Sequence, residues 1–267
     1  EFVSIELGTS FVLQNTQESL LELCNLINLF VEDSLVDKKM IVGACINLSG
    51  RINTMEGFSY NFFFSENRPL NEIISEQLNL PVRLENDTRA MAFGEYHEGV
   101  VDEEQNVIYL NYGWGVAIGI ITDGNLYYGK SGYSGEFGHS NVFDNDILCQ
   151  CGKMGCLETE ISGWALVNQF KEAIKEGKQS TIVLDENATS LQHHAIIMGA
   201  LQQEDTLCVE LISKQSEKMG RYLSMILNIF NPELLVVGGD FSLLGGYVLL
   251  PIQSALKKYS LGLVNRD

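Results

Sequence analysis

Apolar residues recur at two periods along this chain, and the alternation between them sketches helices and strands in turn. Residues 2–7 read as a strand that runs into a Gly8-Thr9-Ser10 turn, a shape able to offer backbone N–H groups and hydroxyls to a phosphate. Leu20, Leu23, Cys24, Ile27, Phe30 and Val31 then fall at helical spacing behind Asn15-Thr16-Gln17-Glu18, which resembles a capping box. The pattern predicts a buried strand over residues 40–48 ending in Ser49-Gly50, a polar-aromatic loop over 61–64, and a helix over 70–78. A strand over 81–85 delivers Asn86-Asp87 to its carboxyl end, where ligands bind in α/β sheets. Two roles are open to Asp87. It, or Thr88, can cap the next helix, whose apolar face includes Met91, Ala92 and Tyr96; or it can serve as a general base or an acceptor for hydroxyl groups.

The second half continues the alternation. Residues 107–111 read as a strand, and 116–122 with 126–129 as a hairpin around Asp123-Gly124. Between them lies Gly113-Trp114-Gly115, a glycine turn able to touch a ligand. Helices are predicted over 162–175, over 191–201 with Ser190 as cap, and over 208–230, ended by Asn231-Pro232. A short buried strand over 234–237 leads to Gly238-Gly239, and Gly245-Gly246 opens a last amphipathic helix to about residue 258. No repeat of fixed period and no low-complexity linker interrupts the chain.

A chain of 267 residues can bury a full core, and this length suits two lobes. A hydrophobic content of 45% with 25 glycines fits a globular α/β protein. No apolar run is long enough to span a bilayer, so no membrane association and a cytoplasmic location are expected. With 35 acidic against 17 basic residues, the net charge of −18 argues against a broad nucleic-acid-binding surface within this segment.

Candidate chemistry concentrates between Gly135 and Glu158. Cys149, Cys151 and Cys156 lie there with His139 just upstream, a tetrahedral set of soft ligands of the kind structural zinc takes. Gly152 and Gly155 allow the tight turns that bring Cys156 back to the same ion. A disulfide with a spare thiol, or three buried small apolar residues, are the other readings. A Cys-x-Cys pair is cramped for an internal bridge, and ligand number, type and glycine placement agree on metal. Cys24, Cys45 and Cys208 lie in apolar runs and read as core. The same window carries Glu136 and Glu158, expected to face one pocket with His139.

These motifs resemble those of the ROK family of bacterial sugar kinases and sugar-responsive transcriptional repressors. Gly135-Glu136-Phe137-Gly138-His139 is similar to the family's GEfGH signature, and Cys149 through Glu158 to CxCGxxGCxE. Glu85-Asn86-Asp87 matches its END motif, and Asn231-Pro232-Glu233 through Gly238-Gly239 a segment near the nucleotide in kinase members. The resemblance covers nearly the whole chain. It implies an α/β fold of two lobes, the actin-like ATPase (sugar kinase and ribonuclease H-like) architecture, with a zinc knuckle over 139–156 and sugar in the cleft. The smaller lobe would be residues 1–87 and the larger 88–267. His139, Cys149, Cys151 and Cys156 would be the zinc ligands. Gly50, Asn61, Asn86, Asp87, Glu136, His139 and Glu158 would bind the sugar, with one imidazole nitrogen of His139 on the metal and the other on a hydroxyl.

The family offers two functions. In a kinase, Asp87 would be the catalytic base, with ATP and magnesium held near Gly8, Thr9, Gly113, Gly115, Gly238 and Gly239. This chain departs from the kinase pattern at both phosphate loops. Glu6-Leu7-Gly8-Thr9-Ser10 stands where kinases resemble DxGGTK, and Gly113-Trp114-Gly115-Val116-Ala117-Ile118-Gly119 where they resemble GTGxGxG. Trp114 would crowd a nucleotide but can stack on a sugar ring. The expected function is therefore the sugar-sensing effector domain of a regulator of the N-acetylglucosamine- or xylose-repressor kind. A sugar kinase of the glucokinase or N-acetylhexosamine kinase type is the alternative. The expected ligand is a sugar or sugar phosphate, and the expected assembly a homodimer or homotetramer. DNA would be bound only through a domain upstream of this sequence. A hairpin after the first strand and a final strand and helix are further family elements that the sequence does not display.

Overall fold

The computed structural model describes residues 14–33, 36–63 and 67–262. Glu6, Gly8, Thr9 and Ser10, and with them the first phosphate-loop comparison, lie outside the described residues. The chain divides into two compact units. The first comprises residues 1–90 together with Tyr128–Ser134, and the second Met91–Tyr127 with Gly135–Asp267. The segment Tyr128–Ser134 thus belongs with the first unit, although a single division at residue 87 would place it in the second.

In the first unit, α1 (Gln17–Asp33) packs Leu20 and Cys24 inward. Its amino end is closed by Thr16, whose Oγ1 accepts the Ser19 N–H at 3.2 Å. Asn15, the expected cap, instead accepts the Phe63 N–H at 2.6 Å. Strand β1 (Ala44–Leu48) pairs in parallel with β4 (Val82–Asn86), so Leu48 stands beside Asn86. Two short antiparallel strands, β2 (Ile52–Asn53) and β3 (Phe58–Ser59), and α2 (Leu70–Leu78) lie between them in sequence. Ile52, Leu70, Ile74, Leu78 and Leu84 fill this unit's core.

Strand β1 is shorter than the expected run over 40–48. Residues Lys38–Met40 form a 3₁₀ turn capped by Asp37, and Val42 is 93% exposed. Within β1 the side chains alternate, which places Cys45 on the exposed face. The expectation that Cys45 is core is therefore corrected, whereas Cys24 and Cys208 are buried.

Helix α3 (Asp87–Glu98) starts in the first unit and ends in the second. The second unit is built on a four-stranded sheet of order β7-β6-β5-β8, from β5 (Val107–Tyr112), β6 (Val116–Thr122), β7 (Asn125–Leu126) and β8 (Leu234–Gly238). β5 and β8 are parallel, while β6 pairs antiparallel with β5 and β7. Strand alternation gives the sheet two apolar faces. Val107, Tyr109, Ile121 and Val236 pack with Ala92 of α3. On the other face, Ile108, Leu110, Tyr112 and Ile118 join the main core. There they meet α4 (Gly163–Lys175), α5 (Ser190–Gln202), α6 (Thr206–Phe230) and α7 (Gly246–Tyr259). Helix α5 is capped by Thr189 in a capping box with Gln192, one residue ahead of the expected Ser190. No helix among the described residues is long and apolar enough to cross a membrane.

Candidate functional site

The first unit gathers four of the candidate sugar residues through its parallel strand pair. Because Leu48 and Asn86 are in register, the carboxyl ends of β1 and β4 lie side by side. Asn86 Nδ2 donates to the Gly50 carbonyl at 3.0 Å and to Asp87 Oδ1 at 3.1 Å. Asn61 Oδ1 accepts the Arg51 N–H at 3.0 Å, which draws the 61–63 loop to the same end of the sheet. Capping of α3 falls to Asn86, whose Oδ1 accepts from Arg89 N at 3.0 Å. Asp87 takes the Thr88 N–H on Oδ1 at 2.7 Å, and its Oδ2 has no partner among the described residues.

Beneath this cluster is a buried ion pair that sequence reasoning missed. Arg89 Nε meets Glu85 Oε1 at 2.7 Å. The same guanidinium donates to the carbonyls of Gly132 (2.7 Å) and Ile52 (3.1 Å). Glu85 also accepts from Thr54 Oγ1, Tyr128 Oη and the Asn86 amide, so its charge is fully partnered. The pair locks the strand end that carries Asn86 and Asp87.

In the second unit, the Gly135–His139 segment lies against β6. A Cβ at Gly135 would collide with the Ile118 carbonyl, and one at Gly138 with the Val116 carbonyl. Only glycine permits that approach, which sets Glu136 and His139 on a 3₁₀ turn beside the strand. His139 Nε2 is 3.7 Å from Glu136 Oε2, while its Nδ1 faces Cys149 Sγ at 3.5 Å.

The knuckle closes through backbone pairing. Cys149 N–H donates to Lys153 O, Gly152 N–H to Cys149 O, and the amides of Val142 and Phe143 to Gly155 O. Gly152 and Gly155 both have positive φ, as the tight turns require. One ligand atom from each of His139, Cys149, Cys151 and Cys156 lies within 4.8 Å of the others, and the six cysteines are all free. Cys151 Sγ and Cys156 Sγ are 3.6 Å apart. Tetrahedral zinc with Zn–S bonds of about 2.3 Å sets sulfurs about 3.8 Å apart, so the cluster fits the ion. Burial pushes the Cys149 thiol up to about 12 and raises Cys156 as well. Burial also acts to raise Cys151, but hydrogen bonds from the Lys153 amide and from the Cys156 and Cys149 thiols hold it below its ordinary value. A cation bound among them would displace the thiol protons, and the Cys₃His cluster can hold zinc.

Glu158 lies two residues after Cys156 on a 3₁₀ turn and is only 7% exposed. Its Oε1 accepts the Trp164 indole N–H at 3.1 Å, and its Oε2 the Val116 amide at 3.2 Å. A carboxylate has about four lone-pair sites, so each oxygen keeps one for a further donor.

Gly113, Gly115, Gly238 and Gly239, four of the residues expected near a nucleotide, lie close together in this unit, since β5 and β8 end in register at Asn111 and Gly238; Gly8 and Thr9 are outside the described residues. A Cβ on Gly113 would lie 3.2 Å from Asp240 N and 3.5 Å from its carboxylate. The turn is closed on itself. Gly113 N–H donates to Gly115 O at 3.2 Å, Gly163 N–H to Gly113 O at 2.7 Å, and Val116 N–H to Glu158. Trp114 stands edge-on to His194, ring centroids 5.5 Å apart. Burial holds His194 below its ordinary pKa, partly offset by Asp240. Asp240, His194 and Trp164 are contributions that sequence reasoning missed, because each depends on a long-range contact.

A two-unit α/β protein with a Cys₃His cluster on its second unit is the class that this geometry defines. The chain belongs to the ROK family, which it matches across residues 9–266. It is 31% identical over 263 residues to the xylose repressor of Caldicellulosiruptor bescii, a match covering 97% of this chain and 64% of the repressor. It is 30% identical over 227 residues to the glucokinase of Halalkalibacterium halodurans, covering 84% of this chain and 69% of that enzyme. Among solved structures, a ROK-family transcriptional regulator homologous to the Escherichia coli MLC protein superposes with a TM-score of 0.80 at 27% identity, over 94% of this chain and 63% of the regulator. The ROK glucokinase of Streptomyces griseus, in complex with glucose and AMPPNP, gives a TM-score of 0.77 at 28% identity, over 94% of this chain and 80% of that one. The fold is thus the actin-like architecture of ROK sugar kinases and repressors. This chain spans less than two thirds of the repressor and of the regulator. Repressors and glucokinases both stand among these relatives, so likeness alone assigns neither role.

Proposed function

We propose that this chain is the sugar-sensing effector domain of a cytoplasmic transcriptional regulator, with DNA bound by a domain outside this sequence. The observation that carries the reading is the state of the Gly113–Gly115 turn. A phosphate loop works by presenting free backbone N–H groups to an anion. Here the Gly113 and Val116 N–H groups are spent on Gly115 and Glu158, and the Asp240 carboxylate adjoins the turn. Negative charge at that place repels a nucleotide's phosphates, whereas the hydroxyl-accepting carboxylates remain.

Gly50, Asn61, Asn86 and Asp87 of the first unit, and Glu136, His139 and Glu158 of the second, are the residues we assign to the sugar. His139 would hold zinc through Nδ1, which fixes a proton on Nε2 and makes that atom a donor to a sugar oxygen. Zinc bound by His139, Cys149, Cys151 and Cys156 would supply a fixed positive charge that orders the knuckle; the chemistry of recognition belongs to the side chains. Glu136 and Glu158 accept hydroxyl hydrogens, and Asp87 Oδ2 takes another. Sugar binding would shift the population between conformations of the domain, and a homodimer or homotetramer would pass that shift to the DNA-binding domains.

Calorimetric titration with hexoses, N-acetylhexosamines and xylose, in the absence of nucleotide, tests the reading. Saturable binding to at least one of them, weakened about tenfold or more by Asp87→Asn, is expected. Absence of binding across the panel overturns it.

One observation favours a second reading. The unpartnered Oδ2 of Asp87 at a strand end is placed as a general base would be, which suits a sugar kinase using ATP and magnesium. The glucokinase relatives point the same way.

A further inference from the structure

A cation at the edge of the first unit's candidate sugar cluster has no assigned role. Arg51 follows Gly50 directly, and its backbone N–H donates to Asn61 Oδ1 at 3.0 Å. Its side-chain Nε shares the same acceptor at 3.4 Å. The guanidinium is therefore tethered at Nε to a residue assigned to the sugar, while its two terminal nitrogens have no acceptor among the described residues. Arg68 and Arg89 are paired with Glu76 and Glu85, whereas Arg51, like Arg83 and Arg221, has no carboxylate in ion-pair contact among the described residues; Arg51 alone of these three is tied to a residue assigned to the sugar. Glu56, on the turn between β2 and β3, is engaged by Asn53 Nδ2 at 2.9 Å.

The surroundings fit a polar ligand. Tyr60 N–H donates to the Arg51 carbonyl at 3.0 Å, and the Tyr60 and Tyr133 rings meet edge to face at 5.7 Å. Asn86 Nδ2 ties Gly50 to Asp87 on the other side. The cluster thus offers hydroxyl acceptors at Asp87 and a planar, permanently charged donor fork at Arg51. A fork with two free terminal nitrogens matches the paired oxygens of a phosphate or carboxylate, which a neutral sugar lacks.

We propose that Arg51 reads an anionic group on the effector, so that the ligand is a sugar carrying a phosphate or a carboxylate. This rests on the assignment of Gly50, Asn61, Asn86 and Asp87 to the sugar, and it adds the ligand's charge class.

Calorimetry on the 267-residue chain with matched ligands tests it: glucose, glucose 6-phosphate and glucuronate; N-acetylglucosamine and its 6-phosphate; and inorganic phosphate alone. The expected result is that one anionic sugar binds about 10-fold to 100-fold more tightly than its neutral parent. Whether the phosphates or glucuronate take that place tells which anion is read. In Arg51→Gln the ratio of anionic to neutral affinity falls to about 1, and Arg51→Lys recovers part of it. Arg51 is exposed, so an unchanged thermal midpoint separates lost recognition from misfolding. Equal affinity for anionic and neutral forms, a preference that survives Arg51→Gln, or inorganic phosphate binding as tightly as any sugar phosphate overturns the proposal. Tight binding of a neutral sugar alone sinks this inference and leaves the sugar-sensing reading intact. No binding by any sugar sinks both.

Discussion

Trp164 donates its indole N–H to Glu158 at 3.1 Å, which ties the first turn of α4 to the residue two places after the last cysteine of the knuckle. Glu158 is buried and also accepts from Val116, so a single carboxylate joins the knuckle, the glycine turn and the helix. Trp164→Phe keeps most of the ring and removes the donor. A loss of about 1–3 kcal/mol is expected in urea unfolding, with weakened sugar binding. Unchanged stability and affinity would leave this contact without consequence.

Gly135 and Gly138 each abut a β6 carbonyl. Gly138→Ala would press a methyl group onto Val116 O and toward Glu158. Gly135→Ala adds a left-handed backbone at φ 89° to the collision with Ile118 O. Both should cost about 2 kcal/mol or more, Gly135→Ala the more of the two, as read by thermal or urea unfolding.

Arg89→Met leaves the Glu85 carboxylate buried against hydroxyls and an amide with no cation. Destabilisation of about 3–5 kcal/mol is expected. Adding Glu85→Gln should recover part of it, which a double-mutant cycle measures directly.

Acid stability should depend on Asp205. Burial by itself would raise this carboxyl, but the amides of Thr181 and Cys208 and the hydroxyls of Thr181 and Ser180 hold it well below the usual carboxylate range. A depressed folded-state pKa gives stability that is present above the unfolded value, about 3.9, and lost as pH falls below it. Asp205→Asn should therefore lower stability by about 2 kcal/mol at pH 7, where it also weakens the cap of α6, and should flatten the decline below about pH 4. Urea unfolding at a series of pH values gives both quantities.

The knuckle should carry about one equivalent of zinc per chain, lost in Cys151→Ser. Stripping the metal should lower the thermal midpoint and weaken sugar binding together, because His139 would belong to both the metal and the sugar. Elemental analysis with a thermal melt before and after chelation checks this.

Much of the frame was legible in the amino-acid order because its determinants are local. Helix α2 falls where apolar spacing put it, and the metal ligands lie within one short window whose glycines make the turns. The early strand was read too long because Ile41 and Val42 look apolar, while Asp37 turns the chain just before them. Cys45 faces outward because a strand alternates, a fact that composition does not carry. The contacts of Arg51, Arg89, Asp240 and Trp164 came only from register and folding: each meets a partner from another element or loop. Asn86 and Asp87 were legible as a strand end, but the cap of α3, expected at Asp87 or Thr88, falls one residue earlier on Asn86, whose Oδ1 reaches the Arg89 N–H.

The central claim is that this chain senses a sugar and does not phosphorylate it. A coupled ADP-release assay over hexoses, N-acetylhexosamines and xylose, with ATP and magnesium present, tests it most directly. The account predicts no sugar-dependent ADP release from a chain that binds sugar saturably, because the Gly113 and Val116 N–H groups are taken up by Gly115 and Glu158 and the turn adjoins Asp240. Sugar-dependent turnover that disappears in Asp87→Asn would contradict it and make the chain a kinase.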